Sequence, residues 1–179
     1  MTVTRDDIVA SFRRRIEHFG YRKTSVEDIA HDLHISKKTI YVHFESKEEM
    51  FRRVVEQVAA EERARIAGEL TDRTCCLEKI EGLIGIIFRE TREWWRENRE
   101  SEFVERYEVG ERAFLDAYSE LISEWVQAGV EHGEFDTDKP EMTVVFIGGI
   151  ILAGTRLLRD DPDLSPEDDA IAAVRKLLR

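Results

Sequence analysis

The stretch from 24 to 49, TSVEDIAHDLHISKKTIYVHFESKEE, decides the fold of this 179-residue chain because it packs three helix starts into one short segment. Thr24-x-x-Glu27 and Ser46-x-x-Glu49 both fit the capping box, in which a hydroxyl accepts a free backbone N–H and the acid three positions on reaches back. Between them Ser36 can cap a third helix, with Ile35 before it and Ile40 four positions inside as a hydrophobic staple. The pattern predicts a short helix over about 25–33, a three-residue turn and a second short helix over about 37–44. Such a pair is a helix-turn-helix, which sets its second helix in a DNA major groove. On that helix Ile40 faces inward and Phe44 plugs the core, leaving Lys37, Lys38, Thr39, Tyr41, Val42 and His43 to point elsewhere. Lysine can donate to guanine O6 or N7, and valine methyls can meet a thymine methyl. The competing reading makes the lysines solvated charges and Tyr41 structural.

The run resembles the DNA-binding domain of the TetR family of bacterial transcriptional repressors. Ile29-Ala30, Ile35-Ser36, Thr39-Ile40-Tyr41 and Phe44-Glu45-Ser46-Lys47-Glu48 stand at the family's spacing. The chain departs at the turn, with Leu33 and His34 where a small residue and Gly are usual. His tolerates a left-handed backbone better than most residues, so a strained but formed turn is expected. The resemblance covers about 45 residues. It implies that Lys37, Lys38, Thr39 and Val42 lie near base edges and that Ser25, Tyr41, His43 and Lys47 contact phosphates. Ser25 and Lys47 suit that role, because helix N-termini favour an anion.

A net charge of −11 argues against DNA binding until it is divided. Residues 1–53 hold 11 Lys/Arg against 9 Asp/Glu, and the remainder holds 16 against 29. Salt screens charges beyond about 8–10 Å, so a relatively basic head can engage DNA while an acidic body stays away.

Outward from the motif, a first helix runs from about Thr4, with Ile8, Val9, Phe12, Ile16 and Phe19 on one face and Gly20 as its stop. A helix from Ser46 to about 68–70 carries Met50, Phe51, Val54, Val55 and Val58. Three more helical regions follow, at about 77–98, 101–132 and 140–159, and a last one has Ser165 as cap. The chain reads as all-α: a three-helix DNA-binding head, 1–45, on a helical effector and dimerisation body, 46–179. Aromatics of the body can line a ligand cavity between helices, with Trp95, Tyr107 and Phe114 as candidates; plain core packing is the competing reading. The apolar girdle of the 140–159 helix holds Gly148, Gly149, Ala153 and Gly154, small residues that let another helix approach closely. Gly148, Gly149, Ala153, Ile171 and Val174 are the expected dimer contacts.

No activated nucleophile, phosphate-binding Gly loop or metal-ligand spacing is evident, so no enzyme, cofactor or metal is expected. His31 and His34 share a helical face without a third ligand at diagnostic spacing. Adjacent Cys75 and Cys76 read as a helix start, with a thiol switch as the alternative. The longest uncharged apolar run, 142–155, is shorter than a bilayer span, which needs roughly 20 residues, and the N-terminus is no secretory signal. A cytoplasmic homodimeric repressor is therefore expected, binding a pseudo-palindromic double-stranded operator and released by a small apolar or amphipathic effector. The alternatives are a helical protein-interaction module that binds no DNA, and a small-molecule-binding protein or enzyme using the body pocket.

Overall fold

A computed structural model describes residues 3–98 and 107–179, with backbone alone at 107 and 108. Among the described residues there are eight helices and no strand: α1 (Arg5–Phe19), α2 (Val26–Asp32), α3 (Lys37–His43), α4 (Lys47–Glu69), α5 (Cys76–Asn98), α6 (Tyr107–Glu131), α7 (Pro140–Asp160) and α8 (Glu167–Leu177). They form two compact units, and both α4 and α6 give residues to each, α4 dividing at Ala59 and α6 at Ala113.

The head is knitted by caps. Thr4 and Asp7 close a full capping box on α1. The next box forms one residue later than Thr24-x-x-Glu27. Ser25 caps α2, its N–H and hydroxyl donating to Asp28 Oδ2 at 2.8 and 2.7 Å while Asp28 N–H returns to Ser25 Oγ at 3.2 Å. The shift has a cause: Thr24 is buried and its hydroxyl donates to Gly20 O at 2.9 Å, so the exposed neighbour is left to cap. Ser36 caps α3 through the Thr39 N–H at 3.1 Å. At α4 the Ser46 hydroxyl accepts Glu49 N–H, but the Glu49 carboxylate reaches back to Glu45 N–H, one residue beyond the expected partner.

Packing closes the head around Ile8, Val9, Phe12, Ile29, Ile40, Phe44, Met50 and Val54, all buried. Phe19, expected on this face, is 51% exposed. Gly20 (φ 85°) stops the helix directly after it, and the ring rests edge-on to His18 with the Arg15 guanidinium over it. Arg15 also fastens α1 to α2, giving Asp32 two hydrogen bonds of 2.6 and 2.8 Å. That contact holds the Asp32 carboxyl below its ordinary range. Ser25 does the same for Asp28.

The body packs α5 against α7 and α8. Phe88 is fully buried, and a Cβ on Gly154 would stand 2.1 Å from its ring, so Gly154 serves the approach of α7 to α5 within the chain. Arg175 pairs with Glu81 at 2.6 and 3.0 Å, and Arg92 reaches Leu164 O at 3.1 Å and the Glu167 carboxylate. At 21 residues α7 is long and apolar enough to cross a bilayer by length and composition. Thr143, Ile147, Gly148, Ile151, Gly154 and Leu158 are nonetheless buried against the chain's own helices. Helix α8 starts at Glu167 with Pro166 at its cap position and no side-chain cap bond, so Ser165 lies one residue outside the expected role. Proline's fixed φ pre-shapes a helix entry without a capping hydroxyl.

Candidate DNA-binding site

The turn between α2 and α3 is a Schellman motif. Ile35 N–H bonds Ala30 O at 3.0 Å and His34 N–H bonds His31 O at 3.1 Å, which requires a left-handed residue at His34. His34 has φ 53°, and no other described non-glycine residue has a positive φ. A glycine would sit there without strain; histidine costs roughly 1 kcal/mol in the left-handed region.

This turn, with Ile40 and Phe44 sunk in the core at 0% and 1% exposure, fixes which face of α3 is free. Tyr41 and Val42 stand out at 53% and 75% exposure, Lys37 and Lys38 are exposed beside them, and Thr39 and His43 are half-buried. A valine three-quarters exposed on a seven-residue helix contributes nothing to the fold, so an apolar contact to an outside partner is what it can offer. Lys37 forms an ion pair with Glu27, a surface contact that DNA can displace at small cost. Thr39 Oγ1 lies 2.9 Å from Ser36 Oγ.

Of the expected phosphate contacts, Ser25 is engaged as the α2 cap. Lys47 is held more firmly: its Nζ donates to Tyr21 O at 2.5 Å and sits 3.9 Å from the Tyr21 ring centroid. Tyr21 in turn donates to Glu48 Oε1 at 3.0 Å. Lys47 thus braces the start of α4 onto the turn after α1, a long-range role that its spacing could not reveal.

In the body, Trp95 is buried and lies edge-on to Trp94, with ring centroids 4.8 Å apart. Phe114 packs on the body core, 6.0 Å from Tyr118. The Tyr107 side chain lies outside the described residues. The sequence reading missed the polar groups beside Tyr118. Arg65 hydrogen-bonds Glu90 at 2.7 Å and pairs with Glu62. Burial pushes the Tyr118 phenol well above its usual value. Arg65 holds Glu62 low, whereas burial, and then the hydrogen bond with Glu62, push Glu90 up. Glu62 and Arg65 stand three positions apart on α4, but Glu90 lies 25 positions beyond Arg65, so no local pattern joins all three.

Among the expected dimer contacts, Gly149 and Ala153 are exposed on α7 and Ile171 is half-buried on α8. Gly148 is buried, with Leu115 and Ser119 atoms 3.7 Å from its Cβ position, and Val174 is 0% exposed within its own core. These two are therefore enclosed by their own chain.

A short helix pair, a left-handed turn and an outward-facing second helix define a helix-turn-helix DNA-binding transcriptional regulator. Residues 8–54 match the sequence model of the bacterial regulatory proteins of the tetR family. The chain is 26% identical over 153 residues to the uncharacterized HTH-type transcriptional regulator YfiR of Bacillus subtilis (strain 168), covering 77% of this chain and 71% of that one. Its fold resembles that of RolR in complex with resorcinol (TM-score 0.70, 16% identity, 97% of this chain and 86% of that one). It also resembles the TetR-family repressor FadR of Thermus thermophilus in complex with lauroyl-CoA (TM-score 0.64, 18% identity, 98% and 93%). The match places residues 8–54, from α1 into the first turns of α4, with the DNA-binding region of the tetR family, and beyond them the likeness is one of fold.

Proposed function

We propose that the chain is a cytoplasmic homodimeric repressor that leaves its operator when a small apolar or amphipathic effector binds the body. The observation that carries the DNA half is the outer face of α3, where Lys37, Lys38, Tyr41 and Val42 are exposed while Ile40 and Phe44 anchor the helix. In this reading Lys37, Lys38, Thr39 and Val42 meet base edges, and Ser25, Tyr41, His43 and Lys47 meet phosphates. Residues 1–45 act as the DNA-binding domain and 46–179 as the effector and dimerisation domain. Two recognition helices must reach major grooves about 34–36 Å apart, so a pseudo-palindromic operator is expected.

The effector half draws on the fold relatives, one bound to resorcinol and one to lauroyl-CoA, each a small or amphipathic molecule. Trp95, Phe114 and Tyr107 are the effector contacts of this reading. Effector binding weakens the DNA complex only if it favours a conformation whose recognition helices miss their two half-sites. Helix α4 shares residues with both compact units and is the natural relay.

The dimer half rests on an apolar stripe along α7: Met142, Val145, Phe146 and Leu157 are 43–63% exposed, with Gly149 and Ala153 between them. Together with Ile171, this stripe is the self-complementary patch of a two-fold contact. No Cβ neighbour lies within 4 Å of Gly149, so Gly149→Arg is accepted by the folded chain yet blocks a facing copy. The test has three parts. DNA selected from a random pool should contain inverted half-sites, Gly149→Arg should sediment as a monomer, and an effector such as a phenol or an acyl-CoA should lower operator affinity. A pool with no enriched sequence would remove the regulator reading, and a fully dimeric Gly149→Arg would move the interface elsewhere.

A further inference from the structure

Cys76, His132 and Glu134 are brought together in the body although Cys76 and Glu134 are 58 positions apart in sequence. Their ligand atoms, Sγ, an imidazole nitrogen and a carboxylate oxygen, all lie within 4.8 Å of one another. We propose that these three side chains form a transition-metal site whose donor set suits Zn²⁺. This inference is independent of DNA binding and of the organic effector.

The frame under the cluster is fixed. Cys76 opens α5, and its N–H donates to Glu134 Oε2 at 2.7 Å, which anchors one carboxylate oxygen and leaves the other available. His132 and Glu134 flank Gly133, whose φ of 71° makes the tight turn after α6. His132 N–H bonds Ala128 O at 2.9 Å and Glu134 N–H bonds Gly129 O at 2.8 Å. Phe135 is buried directly over Gly129, where a Cβ would stand 2.2 Å from its ring. The turn is therefore held by the core, and only the ends of two exposed side chains need to rotate. In a tetrahedral zinc site the donor atoms are about 3.5 Å apart, given Zn–S and Zn–N lengths of ~2.3 and ~2.0 Å. The cluster closes to that separation through His132 and Glu134 while Cys76 stays in place.

The donor chemistry narrows the ion. Ca²⁺ and Mg²⁺ call for oxygen ligands, whereas one thiolate, one imidazole and one carboxylate are the three donor types that zinc accepts. Three protein ligands leave a fourth position for water or an exogenous donor. Cys75 is engaged separately, its Sγ taking the Glu78 N–H at 3.4 Å, so the two adjacent cysteines have distinct roles.

The test uses the full chain, reduced and stripped of metal, titrated with Zn²⁺ against a chromophoric chelator and separately with Co²⁺. One Zn²⁺ per chain is expected, together with a thiolate-to-cobalt charge-transfer band and a Zn²⁺-dependent rise in the unfolding midpoint. Cys76→Ser and His132→Ala should each weaken zinc at least about tenfold, since even outer-shell changes cost that much. Cys75→Ser and His31→Ala should bind as the parent does. His132 is exposed, so His132→Ala keeps the fold, and unchanged tryptophan fluorescence checks it. No zinc held against the chelator, a cobalt spectrum without the thiolate band, or undiminished binding by His132→Ala would each overturn the site.

Discussion

In the head, Ser25 and Asp28 satisfy each other across three positions and Lys37 leans on Glu27 at the start of the preceding helix. In the body, Arg92 reaches Glu167 across 75 positions and Arg175 reaches Glu81 across 94. Both regions are bundles of amphipathic helices with buried aromatics. The caps and turn that shape the head are made by neighbours in sequence, whereas the ties between α5 and α8 in the body join distant partners. The difference decides what each can disclose. A cap or turn is written in consecutive residues, whereas a cavity or an interface exists only after chains of distant side chains have met.

The largest expected effects separate the two regions directly. Phe44→Ala in the head and Phe88→Ala in the body each empty a fully buried site and should cost about 3–5 kcal/mol. All three tryptophans, Trp94, Trp95 and Trp125, belong to the body unit, so their fluorescence follows body unfolding while circular dichroism follows both. Phe44→Ala should abolish operator binding with the tryptophan transition unmoved, and Phe88→Ala should lower that transition. If Phe44→Ala shifts both signals together, the units unfold as one and the contrast drawn here is void.

Next in size are the DNA contacts. Lys37→Ala should lose about 1–3 kcal/mol of discrimination at particular base pairs, if it donates to a base edge. Lys47→Ala should weaken all sequences alike and reduce the salt slope by about one unit. Binding isotherms on operator and scrambled DNA across a salt series resolve the two patterns. Because Lys47 is already braced on Tyr21, an unchanged slope with a lowered head stability would assign it to structure alone.

About 1 kcal/mol is at stake in the local rules of the head. His34→Gly should stabilise it by that order, because the left-handed strain at φ 53° is relieved. Ser25→Ala should cost roughly 1 kcal/mol through the lost cap, and Glu27→Gln much less, because Asp28 rather than Glu27 completes the box. Denaturant midpoints read by circular dichroism give the order.

Those two sites mark how far the sequence could be read. The departure at Leu33-His34 pointed to a strained left-handed turn, and the backbone has it at His34. The capping box was off by one residue because burial chose between two adjacent hydroxyls, and burial is a tertiary fact. Phe19 fits the helical period of α1, yet the chain ends that helix before the ring can be covered. In the body the span of α5 was legible, expected at about 77–98 and found at Cys76–Asn98, since apolar period alone sets it. Gly154 was not: the same small residue serves an internal helix contact or a dimer, and only Phe88 above it decides. Gly148 and Val174 fall to the same ambiguity, and the Cys76–His132–Glu134 cluster has no local signature at all.

The smallest effect lies in the carboxyl pair beside Arg65, and it reverses the behaviour of the head's acids. Asp28 and Asp32 are held below their ordinary values, so what they add to stability is present above the unfolded value and lost as pH falls through the folded one. Glu90 is pushed up from an ordinary 4.5, first by burial and then by its hydrogen bond to Glu62. A carboxyl of that kind binds its proton more tightly in the native state. Its contribution is therefore complete below the unfolded value and disappears as pH rises through the folded one. Glu62 follows the head's acids, because Arg65 keeps it ionised. At neutral pH Glu90→Gln should then leave the body equal to or slightly more stable than the parent, by a few tenths of a kcal/mol once solvent screening of these half-exposed groups is counted. Glu62→Gln should destabilise it, and the loss should shrink toward acid as Glu62 of the parent takes up a proton. Tryptophan-monitored urea unfolding between pH 4 and 8 gives both curves. Identical pH profiles for the two variants would mean that the pair is too well solvated to divide one proton unequally.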